Sequence, residues 1–135
     1  MRGYILVSHG DYAKELKNSL KMIVGDVSNV FEACLQPEEG LEQFKEKLVA
    51  LKGDMEKYDE VIVFADLMGG TPCNAAASVY LEENHVTIIG GMNFPMLLTA
   101  LLSEELSVEN LISVGKDGVV NVKAKMNAMK FIDEE

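Results

Sequence analysis

Two polar residues far apart in the chain, His9 and Asp66, carry the chemistry this sequence offers, and each ends an apolar stretch of strand-like sequence. Opposite each other, they would form a working unit. The carboxylate takes the proton-bearing ring nitrogen, fixes the tautomer, and leaves the other nitrogen as a free nucleophile while stabilising the cation formed during attack. Gly10 removes a side chain beside the imidazole, and a helix starting near Asp11 turns its unpaired N–H groups and positive dipole end toward the same spot, which favours an anion. An imidazole beside an anion site points to phosphoryl chemistry. Gly69-Gly70-Thr71 adds a second set of donors, because two glycines before a helix expose backbone N–H groups and the Thr71 hydroxyl supplies one more. Gly10, Gly70 and Thr71 are therefore the candidate phosphoryl-binding positions.

Blander readings compete with each assignment. A lone histidine in a turn is usually satisfied by backbone groups, and an aspartate at a strand end usually caps a turn. Their shared position outweighs both. Cys73, near the start of a helix whose dipole lowers a thiol pKa, raises the alternative of a Cys-His-Asp hydrolase built with His9 and Asp66. Packing against the sheet as a small apolar group is the stronger expectation for it. His9, Asp11 and Asp66 form only a weak metal signature, and no metal or other cofactor is expected. His85, beside Glu83 and Asn84, reads as an exposed turn residue, while Met92 and Met96 read as core or cleft lining. Neither the dinucleotide-binding Gly-x-Gly-x-x-Gly nor the Gly-x-x-x-x-Gly-Lys-Ser/Thr loop is present.

The elements that must position these residues follow from apolar periodicity. Tyr4 to Val7, Val30 to Leu35, Val61 to Ala65 and Val86 to Ile89 read as strands, the third an unbroken apolar run typical of a central parallel strand. Asp11 to Val24, with Gly25 at its end, reads as the first helix. A long amphipathic helix follows Pro37-Glu38-Glu39-Gly40 and carries Leu41, Phe44, Leu48, Leu51 and Met55. Thr71 as N-cap and Pro72 at the first helical position open a helix over Asn74 to Leu81. Pro95 to Leu102 is another helix, Val108 to Ile112 a short helix or turn, and Val119 to Val122, after the turn signal Gly115-Lys-Asp-Gly118, a last short strand. Strands alternating with helices predict a three-layer α/β/α domain over residues 1–135, with a mainly parallel four-stranded sheet and right-handed crossovers. In such sheets ligands sit beyond the carboxyl ends of the strands, at the point between the first and third strands where connections diverge. His9 and Asp66 end those two strands.

With 135 residues, 48% hydrophobic and 25% charged, the chain has the composition of one globular domain rather than of a disordered segment. Twelve basic against 22 acidic side chains give a formal charge of −10, which repels a nucleic-acid backbone and attracts basic partners. Two distant cysteines supply neither a disulfide framework nor a zinc ribbon. The absence of a long apolar run, and a start that leads straight into strand-like sequence, give a cytoplasmic expectation.

Three segments together resemble one family. Tyr4-Ile-Leu-Val-Ser-His-Gly10, Val63-Phe-Ala-Asp-Leu-Met-Gly-Gly-Thr-Pro-Cys-Asn-Ala-Ala77 and Gly90-Gly-Met-Asn-Phe-Pro-Met-Leu97 look like the enzyme IIA component, mannose class, of the bacterial phosphoenolpyruvate-dependent sugar phosphotransferase system. Mutase-type phosphohistidine phosphatases share the histidine-glycine turn but usually have arginine where this chain has Ser8. The resemblance implies that His9 takes a phosphoryl group from the histidine-containing phosphocarrier protein and passes it to an enzyme IIB component, with Asp66 orienting it and Thr71 helping to hold the group. It implies indirect service to a membrane sugar permease, a separate IIB polypeptide since no second domain follows, and a homodimer in which the C-terminal edge strand is exchanged, with pairing inside the same chain left open by its weak alternation. Cys73 and Met68 depart from the family's common aromatic residues. Related alternatives are the phosphocarrier subunit of a dihydroxyacetone kinase and a regulatory domain that senses phosphorylation.

Overall fold

The computed structural model describes residues 1–133. Strand β1 (Arg2–His9) leads into helix α1 (Tyr12–Val24), β2 (Val30–Leu35), α2 (Leu41–Ala50) and the single-turn α3 (Lys52–Met55). Then come β3 (Glu60–Ala65), α4 (Thr71–Val79), β4 (Val86–Gly90), α5 (Phe94–Leu102), α6 (Val108–Asp117) and α7 (Val122–Asp133). The four strands form one sheet in the order β2-β1-β3-β4, and every pairing is parallel. Side chains alternate across the sheet, so each strand feeds two cores. Tyr4, Leu6, Ile62 and Phe64 pack under α1, α5 and α6, whereas Ile5, Val7, Val61 and Val63 pack under α2, α3 and α4. This is the expected α/β/α sandwich with an all-parallel sheet. The two central strands, β1 and β3, are buried on both faces, which explains their unbroken apolar sequence.

The divergence point falls between β1 and β3, as the alternation of elements requires. Val7 pairs with Ala65, so His9 and Asp66 emerge from neighbouring strands at the same edge. Short hydrogen bonds then fix the edge itself, with Asp66 N donating to Val7 O at 3.1 Å and both Gly91 N and Met92 N donating to Ala65 O at 3.0 and 2.9 Å.

Several element boundaries differ from the sequence expectation. The long second helix is broken at Leu51, whose N–H bonds to Leu48 O at 3.1 Å, a three-residue bond that tightens the last turn before Gly53. The N-cap of α4 is Gly70, not Thr71, which is instead its first residue. Helix α6 runs on to Asp117 through the supposed turn signal. Gly115 stays helical because α5 lies against it: a Cβ there would meet Met96 Cε at 2.5 Å, and Asn93 Nδ2 donates to Gly115 O at 2.7 Å. The glycine serves close packing, not chain reversal. Val119 to Val122 is not an edge strand. Residues 119–121 are irregular and Val122 opens α7, because the Asn121 side chain accepts from Ala124 N at 3.0 Å and Lys125 N closes on Asn121 O at 3.1 Å. An asparagine N-cap overrides three valines whose alternation is weak.

Candidate phosphoryl-transfer site

His9 is exposed at the end of β1, whereas the residues before it, Arg2 through Ser8, are all buried. Its ring is anchored, not free. His9 Nδ1 lies 2.8 Å from Asp66 Oδ2, and the same oxygen accepts the His9 backbone N–H at 2.9 Å. The other carboxylate oxygen, Oδ1, accepts from Leu67 N at 2.9 Å. Burial by itself pushes the Asp66 carboxyl up, but the His9 N–H, the His9 ring and the Leu67 N–H together hold it below its ordinary value of 3.8. At neutral pH Asp66 is therefore an acceptor only, which puts a proton on Nδ1, so that in the uncharged ring Nε2 keeps the lone pair. Exposure divides the pair's roles: the His9 side chain is 49% accessible and that of Asp66 only 11%. The base faces solvent and its anchor does not.

The turn after His9 needs glycine, since Gly10 has φ +56. Its N–H donates to Leu35 O at 2.7 Å, tying the turn to the end of β2. Against the ring sits Gly70, extended at φ −83, ψ 168. A Cβ on Gly70 would come within 2.7 Å of His9 Cε1 and 3.3 Å of Nε2, so only glycine lets the start of α4 approach the free nitrogen this closely. Thr71 follows as the first residue of α4, half-buried, and Pro72 has no N–H to leave unsatisfied in that first turn. A group on Nε2 thus stands beside the positive end of a nine-residue helix. The arrangement can hold a neutral imidazole of fixed tautomer next to an anion-favouring helix start, the elements of a nucleophile for phosphoryl transfer.

The other sequence candidates separate from this site. Asp11 points its carboxylate at Gln36 Nε2, 3.1 Å away, and among the described residues no group of three or more His, Cys, Asp or Glu side chains is placed to hold a metal ion. His85 is exposed in the turn before β4, where its carbonyl accepts Val61 N. Met92, just before α5, and Met96, on its inner face, are core residues. Cys73 packs against the core formed by β1, β3 and α4. Replacing it with alanine is expected to leave phosphoryl transfer unchanged and to cost only packing stability, whereas a cysteine hydrolase would lose all activity; transfer assays beside thermal melts read the difference.

Two anchors escaped sequence reasoning. One is the carbonyl of Leu35, which no side-chain pattern announces. The other is Ser8, fully buried, whose Oγ accepts from Ala13 N at 2.7 Å and donates to Gly10 O at 3.2 Å. A polar residue at the buried end of an apolar strand was its only signal.

Comparison with known proteins bears on this geometry. The family described as EIIA-man, PTS system fructose IIA component, matches residues 3–113. The fructose-specific EIIA component of Bacillus subtilis is 35% identical over 114 residues, 84% of this chain and 78% of that protein. The sorbose-specific EIIA component of Lacticaseibacillus casei is 36% identical, covering 81% of this chain and 79% of its own. Among solved structures, the PTS IIA protein associated with the fucose utilization operon of Streptococcus pneumoniae superposes with a TM-score of 0.86 at 29% identity, over 93% of this chain and 96% of that one. The mannose/sorbose-specific IIA subunit from Enterococcus faecalis gives 0.80 at 31% identity, over 89% and 93%. With the family's pattern running through both ends of the His9–Asp66 edge and through the sheet that carries it, the chain belongs to the mannose-class enzyme IIA components of the sugar phosphotransferase system.

Proposed function

We propose that His9 is the phosphoryl acceptor of this IIA component, taking the group from the histidine-containing phosphocarrier protein and passing it to an enzyme IIB component that serves a membrane sugar permease. The observation that carries the proposal is an exposed imidazole whose Nδ1 is held by a nearly buried aspartate while Nε2 faces the start of α4. About half of the His9 side chain is open to solvent. A nucleophile on an open surface suits a donor carried by another protein better than a small molecule that needs enclosure. In the transfer, the Nε2 lone pair attacks phosphorus in line, the P–N bond to the donor imidazole breaks, and that imidazole leaves with the bonding pair. The positive charge arriving on the His9 ring is balanced by Asp66 through the Nδ1 proton, which does not move. Backbone groups at Gly70, with Thr71, stabilise the equatorial oxygens, whereas the Gly10 N–H is already given to Leu35 O and Gly10 serves the turn instead. Exposed Tyr12, Leu67 and Met68 flank His9 and Asp66 in the chain and supply apolar contact area for the partner. The chain's charge of −10 steers a basic donor, so the association rate should fall as salt rises.

Transfer of this kind is cytoplasmic, and no described helix is long and apolar enough to cross a membrane. The test is incubation with phosphoenolpyruvate, enzyme I and the phosphocarrier, followed by intact-mass measurement and mapping. One acid-labile phosphoryl group on His9 supports the assignment, and label on His85 or none at all refutes it.

We also propose a homodimer, built on α7 in place of an exchanged strand. Every residue from Lys116 to Lys130 is exposed, and a twelve-residue helix in water is marginal without a partner. Val122, Met126 and Met129 line one side of α7 at helical spacing, flanked by Lys123, Lys125 and Lys130. A basic, apolar-striped helix on an acidic chain complements the body of a second copy, and the open edge of β4 offers a groove of about 390 Å³ lined by Ile88, Ile89, Met96 and Ile112. Burying each stripe residue contributes about 1.5–3 kcal/mol. Met126→Glu is expected to shift the chain from dimer to monomer in sedimentation without loss of its melting transition. A wild type that stays monomeric at high micromolar concentration rejects the dimer.

A further inference from the structure

The helix that follows His9 is capped from an unusual place. Asp11 occupies the N-cap position of α1 but makes no side-chain cap, its carboxylate accepting from Gln36 Nε2 instead. Ala13 N–H, one of the first-turn donors that a helix leaves unpaired, is satisfied by Ser8 Oγ at 2.7 Å. That oxygen belongs to the strand on the far side of the turn. Ser8 O–H in turn reaches Gly10 O at 3.2 Å, so one buried hydroxyl spans the whole β1–α1 turn with His9 inside it. Both exits from His9 are then fixed. Gly10 is held at its N–H by Leu35 O and at its carbonyl by Ser8, and the His9 N–H is held by Asp66.

The carboxylate contact at Nδ1 holds one ring atom and does not by itself set the plane of a half-exposed ring. Position at Nε2 matters more, because displacement of a reacting atom by about 1 Å can cost on the order of a hundredfold in rate. Gly70 leaves little tolerance for such movement, since its backbone already approaches Cε1 closely. Among the described residues, Ser8 is the one side chain that bonds to both the residue after His9 and the first turn of α1.

We propose that Ser8 is a positioning residue for His9: its buried hydroxyl locks the β1–α1 turn so that the ring keeps Nδ1 on Asp66 and presents Nε2 in one orientation beside Gly70. The proposal rests on the reading of His9 as the phosphoryl acceptor. Ser8 does not touch the donor, because it is fully buried. Its effect therefore belongs in the maximal transfer rate and in the state of the ring, not in partner affinity.

The experiment compares Ser8→Ala with wild type in three measurements: thermal melting, nitrogen NMR of the His9 ring across pH, and phosphoryl transfer as a function of phosphocarrier concentration. Expected is a folded variant whose ring shows a mixed tautomer in place of the single Nδ1-protonated form. Its maximal transfer rate falls about ten- to a hundredfold with half-saturation by the phosphocarrier unchanged. Ser8→Cys, of similar size but a weak hydrogen bonder, should behave like the alanine variant, and it takes that variant's place if alanine prevents folding. A folded variant that keeps the wild-type ring spectrum and maximal rate, or that changes only half-saturation, overturns the proposal and leaves Ser8 a packing residue. The ring spectrum needs no phosphoryl donor, so it decides the role of Ser8 even if wild-type His9 accepts no phosphoryl group and the functional reading falls.

Discussion

Replacing His9 with alanine is expected to abolish phosphoryl acceptance while the protein folds as before. The loss should be complete because no second imidazole stands at the site; His85 lies at the opposite end of the sheet, in the turn before β4. The fold should survive because the ring is half-exposed and the bonds that shape the edge are mainly to backbone. Asp66 keeps its contacts to the N–H groups of residues 9 and 67, so no buried acceptor is left bare. The measurement is intact mass after incubation with the complete donor chain, beside circular dichroism and a melting curve. Full-stoichiometry phosphorylation of the alanine variant would remove His9 from the mechanism.

Asp66→Asn should slow transfer by roughly ten-thousandfold, the scale seen when a carboxylate that fixes a catalytic imidazole becomes an amide. An amide presents either a donor or an acceptor to Nδ1, so the tautomer is no longer unique, and it carries no charge to balance the ring cation. Phosphocarrier affinity should change little, since only a small part of Asp66 reaches the surface. The same substitution has a signature in stability against pH. The folded Asp66 carboxyl sits below its ordinary value of 3.8, the His9 and Leu67 contacts outweighing burial. Its stabilising contribution is thus fully present above about pH 4, and it is lost as pH falls below 3.8 through the folded value. The melting-temperature gap between wild type and Asp66→Asn should be widest near neutrality and narrow on acidification through that window. A gap that stays constant from neutral pH to about pH 2 would show that the ionised carboxylate does not carry the difference.

The order of residues alone specifies the sheet, its parallel sense and the meeting of His9 with Asp66. These follow from local rules: an apolar run too short for a helix needs cover on both faces, and strands alternating with helices put both polar ends at one edge. Gly10 was legible because a tight turn demands it. Other features were decided by what lies opposite in space. Gly115 looks like a turn residue until α5 is placed against it, and Gly70 reads as a source of backbone donors, while its lack of a side chain against the His9 ring shows only in space. Val119 to Val122 reads as a strand by residue type, yet the cap supplied by Asn121 turns the segment into a helix. Ser8 carried almost no signal at all, because a serine acquires a role only when its two partners are brought to it. Periodicity reports which way a side chain faces, and only tertiary structure decides which atoms it meets there.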